Sequence, residues 1–98
     1  MKITDNMNYF INEILNIIRK YVYAFKLSVY VSDCEIILPL KASIQIDKNF
    51  QFSNGGIHRI VCMDKKLYIY SSITPNNTKK MIKRSVEEIN TYLKRIYK

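Results

Sequence analysis

The chain has 98 residues, sixteen of them Lys or Arg and eight Asp or Glu, which gives a formal charge of +8 with 48% hydrophobic residues and only two Gly and two Pro. That length admits one domain, and the apolar content excludes a disordered basic tail, which needs low hydrophobicity. Apolar runs are broken within a few positions by Arg, Lys, Asn or Glu, far short of the roughly 18–20 apolar residues of a membrane span.

Met7, Phe10, Ile11, Ile14, Leu15, Ile18, Tyr21 and Val22 recur at three- and four-residue steps, which predicts an amphipathic opening helix that Thr4, Asp5 or Asn6 can cap. The period changes to two in Phe25-Lys26-Leu27-Ser28-Val29-Tyr30-Val31-Ser32. This predicts a strand with Phe25, Leu27, Val29 and Val31 toward the core and Lys26, Ser28, Tyr30 and Ser32 on the other face. Residues 33–56 read as a long, partly ordered excursion bearing Lys41 and Lys48. In it, Asp33 to Leu38 extends the first strand until Pro39 ends it, Ala42 to Asp47 forms a short edge strand, and Phe52-Ser53-Asn54-Gly55-Gly56 supplies a turn. Ile57–Met63 and Lys66–Ile73 form a hairpin around Asp64-Lys65, in which Lys65 must adopt positive φ. In the second run Leu67 and Ile69 point one way and Lys66, Tyr68 and Tyr70 the other. After the turn residues Ser72 to Thr78, an apolar stripe of Ile82, Val86, Ile89, Leu93 and Ile96 predicts a closing helix, with Lys83–Glu87 and Arg84–Glu88 spaced as i,i+4 pairs. The expected fold is α+β: helix, three or four antiparallel strands, helix, both helices packed on one face of the sheet, in a single domain over residues 1–98.

Little in the chain points to an enzyme. His58 is the only histidine, carboxylates are scattered, and neither a phosphate loop nor a metal-ligand cluster is spelled out. A Cys62–His58 dyad on one strand face spans roughly 13 Å, too far for proton transfer. Cys34 and Cys62 lack redox or zinc spacing and read as reduced, small apolar residues. No catalytic residue, metal or cofactor is expected. Met1-Lys2-Ile3-Thr4-Asp5-Asn6 lacks the apolar core of a secretory signal, so the expected compartment is the cytoplasm, with no membrane partner.

The charge is unevenly placed, since residues 75–98 alone hold +5 of the +8. A sheet face carrying Lys26, Tyr30, Lys66, Tyr68 and Tyr70, with Lys41, Lys48, Arg59 and Lys65 beside it, pairs cations for phosphate with flat rings for ribose or bases. Lys79 and Lys80 open the closing helix, where cations oppose the helix dipole, and they join the candidate RNA contacts. The alternative is a small protein-interaction module, viral or inhibitory, that grips a polypeptide with the tyrosine-bearing sheet and binds no RNA.

Three stretches carry a resemblance: Phe10-Ile11-Asn12-Glu13-Ile14-Leu15, the strand Leu27-Ser28-Val29-Tyr30-Val31, and the hairpin from Ile60 through Asp64-Lys65-Lys66 to Ser71-Ser72. Together with the element order, they resemble the Alu-domain proteins of the eukaryotic signal recognition particle, and the fourteen-kilodalton subunit more than the nine-kilodalton one. The resemblance implies a non-catalytic subunit that pairs with the nine-kilodalton partner, binds the Alu domain of the particle RNA across the sheet, and supports elongation arrest on the ribosome. For the isolated chain, a homodimer and a monomer both stay open. By position, the resemblance puts Lys26, Tyr30, Arg59, Lys65, Lys66, Tyr68 and Tyr70 on or beside the RNA-facing surface, and Lys41 and Lys48 in a basic loop after the first strand. The family's basic carboxyl-terminal tail is nearly absent, because the chain ends three residues after Arg95.

Overall fold

A computed structural model describes residues 2–51 and 56–97. The expected turn residues Phe52 to Gly55, and Lys98, lie outside the described residues. The elements are α1 (Asp5–Ile18), β1 (Lys26–Val29), β2 (Asp33–Pro39), β3 (Asp47–Gln51), β4 (Ile57–Met63), β5 (Lys66–Ser72) and α2 (Lys79–Ile96). The strands form one antiparallel sheet in the order β1-β2-β5-β4-β3, so the fold is α+β with β5 at the centre.

Both helices begin on threonine caps. Thr4 Oγ1 accepts from Met7 N at 3.1 Å and Thr78 Oγ1 from Met81 N at 3.2 Å, each satisfying an amide that has no partner within the helix. Met7, Phe10, Ile14 and Ile18 of α1 and Ile82, Val86, Ile89 and Leu93 of α2 share one core cluster with Cys34, Ile36 and Leu38 of β2, Ile60 of β4, and Leu67 and Ile69 of β5. All these strand residues point to the same side of the pleat. The two helices therefore cover one face of the sheet and leave the other open, as the alternation in the sequence implies. Two tyrosines lock the far ends of the helices. Tyr21 Oη donates to Asn90 Oδ1 at 2.5 Å, and Tyr97, stacked on Tyr21, donates to the Pro39 carbonyl at 2.8 Å. At the other end, Asn6 Nδ2 donates to the Thr74 and Asn77 carbonyls at 3.0 and 2.8 Å and ties α1 to the loop before α2.

The sheet has more strands than the sequence suggests. The first strand does not run on through Leu38. Tyr30 N donates to Asp33 O at 2.8 Å and closes a two-residue turn at Val31-Ser32, so that Asp33–Pro39 folds back as β2. Val31 accordingly stands in solvent instead of the core, 46% exposed. The edge strand is also displaced: it spans Asp47–Gln51 and pairs with β4, whereas Ala42 to Ile46 of the expected strand precede it without regular structure. The hairpin agrees with expectation. Asp64 and Lys65 both adopt positive φ, 51° and 59°, as a primed two-residue turn requires.

Candidate functional site

The open face is a grid whose rows follow from strand register. One row runs Lys26, Ile37, Tyr68, Val61, Asp47 from β1 to β3, and the next runs Ser28, Glu35, Tyr70, Arg59, Asn49. A third joins Pro39, Lys66 and Met63, and a fourth joins Asp33, Ser72 and Ile57. Tyr68 and Tyr70 stack at the centre with ring centroids 6.0 Å apart. Beside them, over β4, Ile57, Arg59, Val61, Met63 and Tyr70 line a depression of about 510 Å³. Ile57 and Met63 are 40% and 46% exposed.

Charges on this face balance. Lys26, Arg59 and Lys66 stand against Asp33, Glu35 and Asp47. Arg59 is engaged: its Nε and Nη2 donate to the two carboxylate oxygens of Asp47 at 3.0 and 2.9 Å, the one ion pair among the described residues. Those bonds hold the Asp47 carboxyl below its usual range. Partial burial, and then the neighbouring Glu35 carboxylate, push the Tyr70 phenol up.

Six of the sequence-derived candidates lie on or next to this face. Lys26, Arg59, Lys66, Tyr68 and Tyr70 belong to the grid, and Tyr30, 60% exposed, continues its register opposite Asp33 in the β1–β2 turn. Lys65 sits at the tip of the β4–β5 turn. The rest fall elsewhere. Lys41 lies in the connection from β2 to β3, and Lys48 is not in that loop but in β3, where its register partner Ile60 places it on the helix-covered side. Lys79 and Lys80 open α2, and the Lys79 ammonium lies 5.5 Å from the Tyr9 ring centroid. The i,i+4 pairs Lys83–Glu87 and Arg84–Glu88 are not closed. Sequence reading missed the contributions of β2 and β3, namely Glu35, Ile37 and Asp47; the alternation of Cys34, Ile36 and Leu38 is the signal for the first two, and the apolar Ile37 between them masks it.

His58 is fully buried on the helix side, stacked on Phe10 with centroids 5.0 Å apart. Its Nδ1 lies 2.7 Å from Ser71 Oγ and its Nε2 lies 2.9 Å from Ser85 Oγ, and Ser85 Oγ donates its own hydrogen to the Ile82 carbonyl at 2.7 Å. Ser85 can therefore only accept from the imidazole, which puts the proton on Nε2 and makes Nδ1 the acceptor from Ser71. Burial lowers the His58 pKa to about 4. A neutral ring satisfied at both nitrogens inside the core orders β4, β5 and α2 against one another, and it has no approach for a substrate. Burial pushes the Cys34 thiol up to about 12, so it stays protonated and weakly nucleophilic. Among the described residues no group of three His, Cys, Asp or Glu is placed to hold a metal ion, and no helix is long and apolar enough to cross a membrane.

No family model matches the chain, and neither the curated proteins nor the solved structures yield a significant match.

Proposed function

We propose that this chain is a non-catalytic binding module whose open sheet face docks against another polypeptide. One observation carries the reading: the face left uncovered by α1 and α2 presents Tyr68, Tyr70, Ile37, Met63 and Ile57 among charges that cancel. Aromatic residues, Met and Arg around an apolar centre are the composition of protein-binding patches. A polyanion would gain little from a surface with as many carboxylates as cations. A photo-crosslinking residue at position 68, compared with one at Asn12 on the outer side of α1, tests this in extract of the native host. Adducts with protein at 68 but not at 12 are expected, and absence of any adduct at 68 overturns the reading.

A second reading is RNA binding as an Alu-domain subunit of the signal recognition particle, with the nine-kilodalton subunit and the ribosome as partners. Its support is the element order and the charge surplus, which lies mainly away from the sheet. On α2, Lys79, Lys80, Lys83, Arg84, Lys94 and Arg95 face only Glu87 and Glu88. RNA would then contact the helix layer, with Lys79 and Lys80 among its ligands, in preference to Tyr68 and Tyr70. A cytoplasmic location belongs to both readings.

A further inference from the structure

The two central rows of the open face are charge-antisymmetric about the central strand β5. In the row through Tyr68, Lys26 at the β1 edge is balanced by Asp47 at the β3 edge, and Ile37 on β2 by Val61 on β4. In the row through Tyr70, Glu35 on β2 is balanced by Arg59 on β4, and Ser28 by Asn49. Such a pattern is self-complementary under one operation only, a two-fold axis lying in the face along β5.

We infer that the occupant of the open face is a second copy of this chain, packed face to face about a two-fold axis parallel to β5. This rests on the protein-docking reading above and names its partner. The axis sets β1 over the partner's β3 and β2 over the partner's β4, as an isologous interface requires. Lys26 meets the partner's Asp47, Glu35 meets the partner's Arg59, and Ile37 meets the partner's Val61. Because Asp47 and Arg59 already share two hydrogen bonds, each side of the interface becomes a chain of four alternating charges. Tyr68 and Tyr70 lie on the axis and meet their own copies at the centre, where aromatic anchors contribute most. The partner's β2 fills the depression over β4.

Other arrangements fail on the same grid. A two-fold axis across the strands sets Glu35 over the partner's Ile37 and Arg59 over the partner's Val61, which buries both central charges against hydrocarbon, whereas the axis along β5 leaves one such contact, Asp33 over the partner's Ile57, in an outer row. With β5 at seven residues and five strands in the sheet, spacings of about 4.8 and 3.3 Å give a face on the order of 500 Å² in projection, so a pair covers on the order of 1,000 Å². That is the lower limit of a specific interface, and a micromolar dimer is expected. Lys66 falls on the axis next to its own copy, at the rim, where water screens the repulsion.

The experiment is a charge swap read by sedimentation equilibrium. Glu35→Lys alone and Arg59→Glu alone each turn both copies of one contact repulsive, and each is expected to weaken the homodimer by at least about 30-fold. When the two variants are mixed, the lysine introduced at position 35 of one faces the glutamate introduced at position 59 of the other, and the remaining native Arg59 and Glu35 face each other. The mixture is expected to dimerise within about 10-fold of the unaltered chain. Circular dichroism on each variant establishes that it folds. In a Cys62→Ser background, Tyr68→Cys on the axis is expected to oxidise to a covalent dimer, and Tyr30→Cys at the edge is not. An unaltered chain that stays monomeric at a concentration of about 1 mM, far above a micromolar dissociation constant, or folded variants that dimerise alone as well as mixed, overturns the second copy as occupant. In the crosslinking experiment at position 68, adducts at twice the chain mass agree with it. Adducts with a different protein leave the docking face standing and overturn the second copy.

Discussion

Arg59 grips Asp47 through both carboxylate oxygens, at 3.0 and 2.9 Å, across two different rows of the sheet. The bond is diagonal: Arg59 is in register with Asn49, and Asp47 with Val61. It thus ties the edge strand β3 to β4 by a fixed fork in addition to the backbone ladder. It also removes one of the three cations of the open face from any phosphate ligand. Because both side chains are about half exposed in the single chain, water screens the pair and it adds little to that chain's global stability, so at a concentration too low for pairing Asp47→Ala should leave the urea midpoint nearly unchanged. The larger effect should be local. Amide exchange in Asp47–Gln51 should accelerate while that of β5 stays unchanged, since an edge strand with few core contacts opens independently. Equal acceleration in both strands would show that the fork has no local role.

His58 makes stability depend on acidity. Its pKa is about 4 in the folded chain against 6.5 when unfolded. Between those values the unfolded chain takes up a proton that the native one refuses. The stabilisation is complete above pH 6.5 and is lost as pH falls toward 4, by about 3 kcal/mol in all. Urea unfolding at several values from about pH 7.5 down to about pH 4 should follow that slope. His58→Gln should be less stable at neutral pH but much flatter across the window. A slope that survives the substitution would place the titration in another group.

The Asp64-Lys65 turn carries strain that a glycine removes. With φ of 59°, Lys65 occupies a region where a Cβ is unfavourable. Lys65→Gly should therefore stabilise the chain by about 0.5–1 kcal/mol, the usual gain for a residue that suits a primed hairpin turn. A rise in the urea midpoint with unchanged slope is the expected result, and a fall would mean that the Lys65 side chain makes contacts that outweigh its backbone strain.

Helices and hairpin were legible in the sequence because each has a period that one partner surface enforces. Met7, Phe10, Ile14 and Ile18 are all buried against the sheet, and Leu67 and Ile69 alternate with Tyr68 and Tyr70. β2 was obscured for a physical reason. Ile37 points to the open face beside Tyr68, so Ile36-Ile37-Leu38 reads as a continuous apolar run and its phase is lost. The turn before it has no Gly, only Val31-Ser32. β3 was misplaced because a solvated edge strand needs only Phe50 and Ile46 packed against the core, and Lys48 and Asn49 give no alternation. These two strands supply Glu35 and Asp47, so the balance of charge on the open face was not legible until their register was known.

That balance decides where a polyanion would bind. Counterion release scales with the cations brought to phosphate, and on the open face the cations are matched by as many carboxylates, with Arg59 already committed to Asp47. On α2, Lys80, Lys83 and Arg84 are exposed and unclosed by ion pairs, with Glu87 and Glu88 one turn further on. Substituting Lys80 and Arg84 together by Ala should therefore reduce the slope of log affinity against log salt for structured RNA by about 1–2, whereas Lys26→Ala with Lys66→Ala should change it by much less. The sheet-face RNA surface implied by the resemblance requires the opposite order, with Lys66 dominant. Filter binding of each double variant to Alu-domain RNA over a salt series separates the two. Affinity that does not fall with salt in the unaltered chain removes both.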